Sequence, residues 1–92
     1  MKKGGKREWS VYIVKCGDGT LYTGITKDVA ARVGRHNRGE GAAYTRTHLP
    51  VKLVHQESRL TRSAALIREA GIKRLSRAAK EKIVESGHVR RK

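Results

Sequence analysis

The sequence lacks phenylalanine and contains one cysteine, one proline and no long apolar segment. Because Cys16 has no cysteine to pair with, an internal disulfide is excluded, and we expect this residue to be a small buried group in a strand. No apolar run approaches the roughly 18 residues of a membrane span, and the basic segment Met1–Arg7 is not followed by the apolar stretch of a signal peptide. We therefore expect a cytoplasmic protein with no membrane partner.

Acidic residues are also scarce, since 8 Asp and Glu face 22 Lys and Arg, which gives a formal net charge of +14. The many positive side chains of such a domain repel one another, and an anionic partner relieves this repulsion. The expected partner is therefore a polyanion, above all a nucleic acid. An anionic membrane surface is less favoured because no helix pairs a lysine-rich face with bulky apolar residues. The alternative is a charged surface that only keeps the protein soluble.

The chain has 92 residues, of which 37% are apolar. This length supports one compact domain and is too short for two independent cores. We place the domain at residues 9–86 and expect the basic ends, residues 1–8 and 87–92, to be flexible. The sequence does not determine the oligomeric state, and we assume a monomer.

The N-terminal part of the domain predicts a β-hairpin. Residues 9–16 (W-S-V-Y-I-V-K-C) and 21–26 (L-Y-T-G-I-T) are rich in β-branched and aromatic residues, which is typical of strands. The intervening G-D-G-T segment supplies the residues of a tight turn.

Two registers of this hairpin are open. A three-residue loop with Gly19 in the left-handed conformation places Tyr12 opposite Gly24 and Tyr22 opposite Val14, so that both tyrosines share one face of the sheet. A two-residue loop shifts the register by one residue and separates the tyrosines.

A first helix follows the hairpin. Either Thr26 or Asp28 is a suitable N-cap, Val29 and Val33 lie on the side predicted to be buried, and Gly39 ends the helix. The segment from there to Pro50 lacks periodicity and predicts a loop long enough to have a function.

The C-terminal half adds a strand and two helices. Residues 51–57 alternate in polarity as a third strand. Residues 61–75 predict a helix with Thr61 as its cap and with Leu66, Ile72 and Leu75 in its apolar stripe. A last helix over residues 76–85 is terminated by Gly87. The sequence thus predicts an α/β (α+β) domain of order β-β-α-β-α-α, a three-stranded antiparallel sheet flanked by helices.

Two tripeptides on the predicted hairpin, Val11-Tyr12-Ile13 and Tyr22-Thr23-Gly24, are followed by Arg32, His36 and Glu69. In this order and on this pattern of elements, the sequence resembles the GIY-YIG nucleases, in particular their small single-domain YhbQ-like branch. The resemblance covers residues 9–83. Val11 in place of the usual first glycine and Thr23 in place of the usual isoleucine change packing and leave the polar groups intact.

The resemblance implies that the first strand lies in the middle of the sheet and that the protein is a metal-dependent DNA endonuclease, with a role in DNA repair or recombination. It implies a divalent cation, Mg²⁺ or Mn²⁺. Because Glu69 is the one acid in reach of the motif, we expect one cation rather than two. The implied roles are catalysis for Tyr12, Tyr22, Arg32 and His36, metal binding for Glu69 and a structural role for Gly24.

The residue types suit this chemistry. Phosphodiester hydrolysis needs a water, a base for its proton and positive charge for the phosphate oxygens. Either Tyr12 or Tyr22 is a candidate to hold the water, and Arg32 and His36 stand one helical turn apart, which suits a shared phosphate. The structural alternative for the tyrosines is packing within the strands. For Arg32 and His36 it is a solvated basic helix face shared with Arg35.

Glu69 is predicted to lie within the apolar stripe of its helix, three residues from Leu66 and three from Ile72. A carboxylate there requires a partner. One possible partner is Lys73, four residues along the helix. The other is a divalent cation bound through one carboxylate, waters and a substrate phosphate, as Mg²⁺ commonly is.

Further basic residues are candidates for contact with nucleic acid: Arg35, Arg38, Arg46, Lys73, Arg77 and Lys80. Because His48 and His55 lack metal-ligand spacing, we expect them to be structural. The expected partner is structured or single-stranded DNA, and RNA is possible. The alternatives to the enzyme are a non-catalytic DNA- or RNA-binding module on the same scaffold and a small ribosome-associated basic protein.

Overall fold

The computed structural model describes residues 6–90, with side chains described as far as residue 86. Its elements are β1 (Trp9–Lys15), β2 (Leu21–Thr26), α1 (Val29–Asn37), α2 (Ala43–Arg46), β3 (Lys52–Leu60), α3 (Arg62–Lys73) and α4 (Arg77–Arg90). The strands form one antiparallel sheet of order β2-β1-β3. The predicted α/β class and the central position of the first strand are confirmed. Of the predicted basic ends, residues 1–5 and 91–92 lie outside the described residues.

The register of the hairpin places both tyrosines on one face of the sheet. Tyr12 pairs with Gly24 and Val14 with Tyr22. Gly19 has a φ of +89°, the left-handed conformation that the three-residue loop requires. The structure thus selects the first of the two registers that the sequence left open.

One face of the sheet is covered by α1. Tyr12, Val14 and Cys16 of the hairpin are buried there against Val29, and Val33 is partly buried beside them. Asp28 caps the helix by accepting a hydrogen bond from the Ala31 amide at 3.0 Å. The predicted burial of Cys16 and the predicted inner side of α1 are confirmed.

The other face of the sheet is covered by α3 and α4. Val11 and Ile13 of β1 are fully buried against Ala65 and Ile72 of α3, with Ile83 of α4 packed beside them. The central strand is therefore buried on both faces, which explains its continuous apolar sequence.

The apolar stripe predicted for α3 was wrong in part, because Leu66 is 39% exposed and Leu75 is 37% exposed. Ala65 and Ile72 are seven residues apart, about two helical turns, and therefore face the sheet together. The small Ala65 lets the helix lie close to the strands. Glu69 consequently lies at the margin of the buried face.

The predicted loop over residues 39–50 contains the four-residue helix α2. A helix of about one turn is too short to produce a detectable periodicity. The prediction that the last helix ends at Gly87 was also wrong, since α4 continues to Arg90. A glycine within a helix costs only about 1 kcal/mol, which does not by itself end a helix.

The third strand is longer than predicted and runs to Leu60. Leu60 pairs with Trp9, across an irregularity in the register between β1 and β3. That pairing depends on the partner strand and left no local pattern after Glu57. No helix in the described part of the chain is long and apolar enough to cross a membrane.

Candidate active site

The centre of the site is the hydroxyl of Tyr12, on the sheet face beneath α1. Its oxygen is 3.0 Å from Nε2 of His36, and both side chains are fully buried. A Cβ atom at Gly24, the residue opposite, would lie 2.6 Å from this oxygen, so only glycine leaves the tyrosine its place. Burial raises the pKa of Tyr12, which keeps the phenol neutral.

The second ring nitrogen of His36 is bound by the segment that contains α2. Nδ1 of His36 is 2.8 Å from the hydroxyl oxygen of Thr45, and this hydroxyl donates a hydrogen bond of 2.9 Å to the carbonyl of Ala42. A Cβ atom at Gly41 would collide with the imidazole ring. The position of the ring therefore depends on a glycine and a threonine of the predicted loop.

Arg32 lies one turn before His36 on α1 and reaches the same hydroxyl. Its Nε donates to the Tyr12 oxygen at 3.4 Å. Burial, followed by the positive charges of Arg32 and Arg35, lowers the pKa of His36. The imidazole is therefore neutral at pH 7, with one protonated and one unprotonated nitrogen.

Tyr22 and Glu69 complete the cluster from β2 and α3. The ring of Tyr22 stands edge-on to that of His36, with 5.6 Å between the ring centroids. Nζ of Lys73 lies 6.0 Å from the centroid of the Tyr22 ring and 3.3 Å from Oε2 of Glu69. Because β2 is an edge strand, α3 can contribute these groups from the opposite side of the sheet.

The structure thus brings together the five residues singled out in the sequence: Tyr12, Tyr22, Arg32, His36 and Glu69. Tyr12 and His36 form the buried part of the cluster, whereas Tyr22 and Arg32 are partly exposed and the Glu69 side chain is 19% exposed. The Glu69 charge is close enough to contribute to the raised pKa of Tyr12, after the larger effect of burial. The exposed rim is the part that a substrate can contact.

The protein alone offers few ligands for a divalent cation at this site, so a substrate phosphate and waters would have to supply the others. Within the described part of the chain, no group of three or more His, Cys, Asp or Glu side chains is arranged to hold a metal ion. Glu69 supplies one carboxylate, and Mg²⁺ is often held by one or two carboxylates together with waters and substrate phosphates. The side chain of Glu69 pairs with Lys73 in this structure.

The other basic candidates are distributed over both sides of the domain. Arg35 and Arg46 are exposed on α1 and α2, and Arg38 pairs with Glu40 at 3.5 Å. Two lie on α4, which covers the opposite sheet face: Arg77 and Lys80. Lys73 is the candidate in direct contact with the cluster.

Two histidines make local contacts outside the cluster, as expected for structural residues. Nε2 of His48 lies 3.4 Å from an Asp18 oxygen, and Nε2 of His55 lies 2.9 Å from a Glu57 oxygen. His48 helps to attach the α2 segment to the hairpin, where the Tyr44 hydroxyl also donates to Asp18 at 3.0 Å.

Sequence reasoning missed Gly41 and Thr45. Both lie in the segment that was predicted to be a loop, where neither periodicity nor motif spacing identifies a buried residue. The one indication was the length of the loop, which suggested a function without assigning residues. Their partner, His36, is brought to them only by the folding of α1 against the sheet.

With this geometry established, comparison with known proteins defines the class. The family model described as the GIY-YIG catalytic domain matches residues 8–82. The chain therefore belongs to the GIY-YIG family, a superfamily of nucleases, and the resemblance noted in the sequence is confirmed.

Within this family, the chain is similar to UPF0213 proteins, whose name states no activity. One from Staphylococcus epidermidis is 56% identical over 77 residues, which cover 84% of this chain and 94% of the relative. The solution NMR structure of a UPF0213 protein from Bacillus halodurans has a TM-score of 0.55 at 42% identity and covers 84% of this chain and 82% of its own. That of a protein from E. faecalis has a TM-score of 0.59 at 36% identity, with coverages of 97% and 93%.

Proposed function

We propose that this protein is a metal-dependent endonuclease that hydrolyses phosphodiester bonds of DNA. The observation that carries the proposal is the cluster itself: two tyrosines, an arginine, a histidine and a glutamate from four different elements converge in a chain of a nuclease family. All five side chains carry polar groups within or beside a buried core, where structural needs alone favour apolar residues.

Of the two tyrosines, Tyr22 is the better placed to hold the attacking water. The hydroxyl of Tyr12 is buried and already bound to His36 and Arg32. Tyr22 is partly exposed, and the cation of Lys73 lies near its ring. A phenol at the exposed rim can contact the attacking water and accept its proton.

Arg32 is the candidate to bind the phosphate that is attacked. Its Nε is used by Tyr12, which fixes the guanidinium, and the terminal nitrogens can donate to phosphate oxygens. Glu69 would hold the divalent cation, Mg²⁺ or Mn²⁺, which when bound neutralises charge on the phosphate and leaving oxygen. A cation bound at Glu69 would displace the ammonium of Lys73 from this carboxylate. The ammonium would then remain near the ring of Tyr22.

The substrate that fits the charge of the molecule is structured or single-stranded DNA, with RNA as a possible ligand. We propose that the protein acts in the cytoplasm, in DNA repair or recombination. Phosphate contacts dominate such binding, so sequence preference should be weak.

A cleavage panel tests the function. Labelled single-stranded, duplex, flapped and branched DNA are incubated with the protein in Mg²⁺ or Mn²⁺, and parallel samples contain a chelator. We expect products with at least one DNA structure, and none with the chelator. DNA that is shifted in a gel but uncut in every sample would instead support the binding module, which the pairing of Glu69 with Lys73 favours.

A further inference from the structure

A continuous chain of hydrogen bonds runs from Arg32 to the backbone of the α2 segment. It passes from Arg32 Nε to the Tyr12 hydroxyl, to Nε2 of His36, and from Nδ1 of His36 to the Thr45 hydroxyl and the Ala42 carbonyl. The interior of this chain is fully buried, so water cannot substitute for a missing partner.

The two ends of the chain determine the direction of every bond in it. A carbonyl only accepts, so the single proton of the Thr45 hydroxyl points to Ala42. The Thr45 oxygen must then accept from His36, which places the histidine proton on Nδ1. Nε2 is left unprotonated and accepts from the Tyr12 hydroxyl, and the Tyr12 oxygen accepts in turn from Arg32, which only donates.

We infer that Thr45 is a positioning residue of the nuclease site, which fixes the tautomer of His36 and through it the orientation of the Tyr12 hydroxyl and the Arg32 guanidinium. The inference rests on the proposed function for its effect on catalysis. The tautomer itself is a property of the folded protein and is independent of any reaction.

Two glycines and the attachment of α2 support this role. Gly24 and Gly41 leave the space that the side chains of Tyr12 and His36 occupy. The backbone on both sides of these two side chains therefore accommodates the hydrogen-bonded series. The α2 segment is held on the hairpin by the bond from Tyr44 to Asp18. Hydrogen bonds from the hydroxyl and amide of Thr20 lower the pKa of Asp18 to about 2, so this acceptor stays ionised at neutral pH.

The test begins with the wild-type protein. A long-range ¹H–¹⁵N NMR spectrum at neutral pH distinguishes protonated from unprotonated imidazole nitrogens, and the His36 signals are assigned by their absence from His36→Asn. We expect Nδ1 of His36 to carry the proton. A proton on Nε2 in the folded wild-type protein would overturn the inference without any variant of Thr45.

Two variants then separate the hydroxyl from the packing. Thr45→Val has nearly the same shape but cannot accept from Nδ1, so we expect His36 to move its proton to Nε2. Thr45→Ser keeps the hydroxyl and should keep the wild-type tautomer. Retention of the Nδ1 proton in a folded Thr45→Val protein would contradict the inference.

Cleavage kinetics test the effect on the reaction. We expect Thr45→Val to reduce the single-turnover rate about 10- to 100-fold at unchanged DNA affinity, as for other residues that orient a reacting group, and Thr45→Ser to restore it. Wild-type rates in both variants would refute the positioning role. If the wild-type protein cuts no DNA, the proposed function fails, and the NMR result still decides whether Thr45 sets the tautomer.

Discussion

At the scale of single residues, the two tyrosine hydroxyl groups of the site have different surroundings. The hydroxyl of Tyr12 is enclosed by His36, Arg32 and Gly24. Tyr22 is partly exposed, and no hydrogen bond of its hydroxyl is found within the residues that the structure describes. Tyr12 therefore belongs to the buried part of the cluster, and Tyr22 belongs to its exposed rim.

Removing each hydroxyl should have separable effects. We expect Tyr22→Phe to reduce the cleavage rate by at least about 10²-fold, the size typical of a lost general base, while melting temperature and DNA affinity stay unchanged. Tyr12→Phe leaves Nε2 of His36 buried without a partner and should lower the free energy of unfolding by about 1–3 kcal/mol. Single-turnover kinetics and chemical denaturation of both variants check this. Equal cleavage by Tyr22→Phe and the wild type would remove Tyr22 from the mechanism.

His36 should make stability depend on pH in a defined window. Its pKa in the folded protein is lowered from the ordinary 6.5 by burial and by Arg32 and Arg35. As the pH falls below 6.5, the unfolded chain binds a proton at this residue that the folded protein does not, so the free energy of unfolding decreases until the folded pKa is reached. Urea denaturation between about pH 7 and pH 5 measures the slope, which should be smaller in His36→Asn. An identical slope in this variant would contradict a neutral buried His36.

At the scale of elements, the edge strand β2 allows the central strand to project a tyrosine toward α1. Gly24 on β2 provides the gap for the Tyr12 hydroxyl, and Tyr22 on the same strand brings the second phenol to the same face. The hairpin register therefore determines the site as much as the fold.

A glycine-to-alanine pair tests this contribution. Gly24→Ala places a methyl group against the Tyr12 hydroxyl, and we expect an overpacking cost of about 1–3 kcal/mol together with loss of cleavage. Gly71→Ala in α3 meets no atom within 4 Å and should stabilise the protein by up to about 1 kcal/mol. Denaturation of the two variants, prepared identically, gives the comparison. A neutral Gly24→Ala would show that the close approach does not constrain the site.

Most elements could be predicted because their determinants are local. The caps Asp28 and Thr61 lie within a few residues of the helices that they begin, and the structure uses Asp28 rather than the alternative Thr26. The hairpin loop is likewise one of the two that the sequence left open. The extension of β3 to Leu60 depends on its partner strand, and the course of α4 past Gly87 shows that one glycine does not end a helix.

The site could be predicted in part because the order and spacing of Tyr12, Tyr22 and Glu69 resemble those of the GIY-YIG nucleases. The rotation of α3 that brings Ala65 rather than Leu66 to the sheet could not be derived from the apolar stripe alone. The role of Thr45 depends on its contact with His36, nine residues earlier and across a turn. No local sequence pattern indicates such a contact.

At the scale of the whole molecule, the net charge of +14 should govern association with DNA. Basic side chains on the side of α1 and α2 can contact the phosphates of a DNA strand that crosses the cluster. Arg35 is exposed on this side. Arg77, in contrast, donates to Glu81 at 2.7 Å and to the Gly19 carbonyl at 2.7 Å on the side of α4. We therefore expect binding to be electrostatic and one-sided.

DNA affinity measured across a salt series tests this view. Between about 50 and 200 mM salt we expect a loss of about 10³-fold, because each phosphate contact releases a counterion. Arg35→Gln should reduce the slope of log affinity against log salt by about one unit, whereas Arg77→Gln should leave it unchanged. A flat response of the wild type would contradict nucleic-acid binding, and equal effects of both variants would contradict a one-sided surface.

The most direct test of metal-dependent cleavage by this cluster is the substitution Glu69→Gln. It keeps size and hydrogen bonding but removes the charge that is proposed to hold the cation, and we expect the single-turnover rate with Mg²⁺ to fall at least about 10²-fold at unchanged fold and DNA affinity. Glu81→Gln is the matched control, because Glu81 also pairs with a basic residue of its own helix, Arg77, four positions away, but on the opposite side of the domain. This control should cut at the wild-type rate. Wild-type cleavage by Glu69→Gln, with at most about 0.5 kcal/mol of lost stability from its pair with Lys73, would show that Glu69 is only a helix-surface residue and contradict the proposed site.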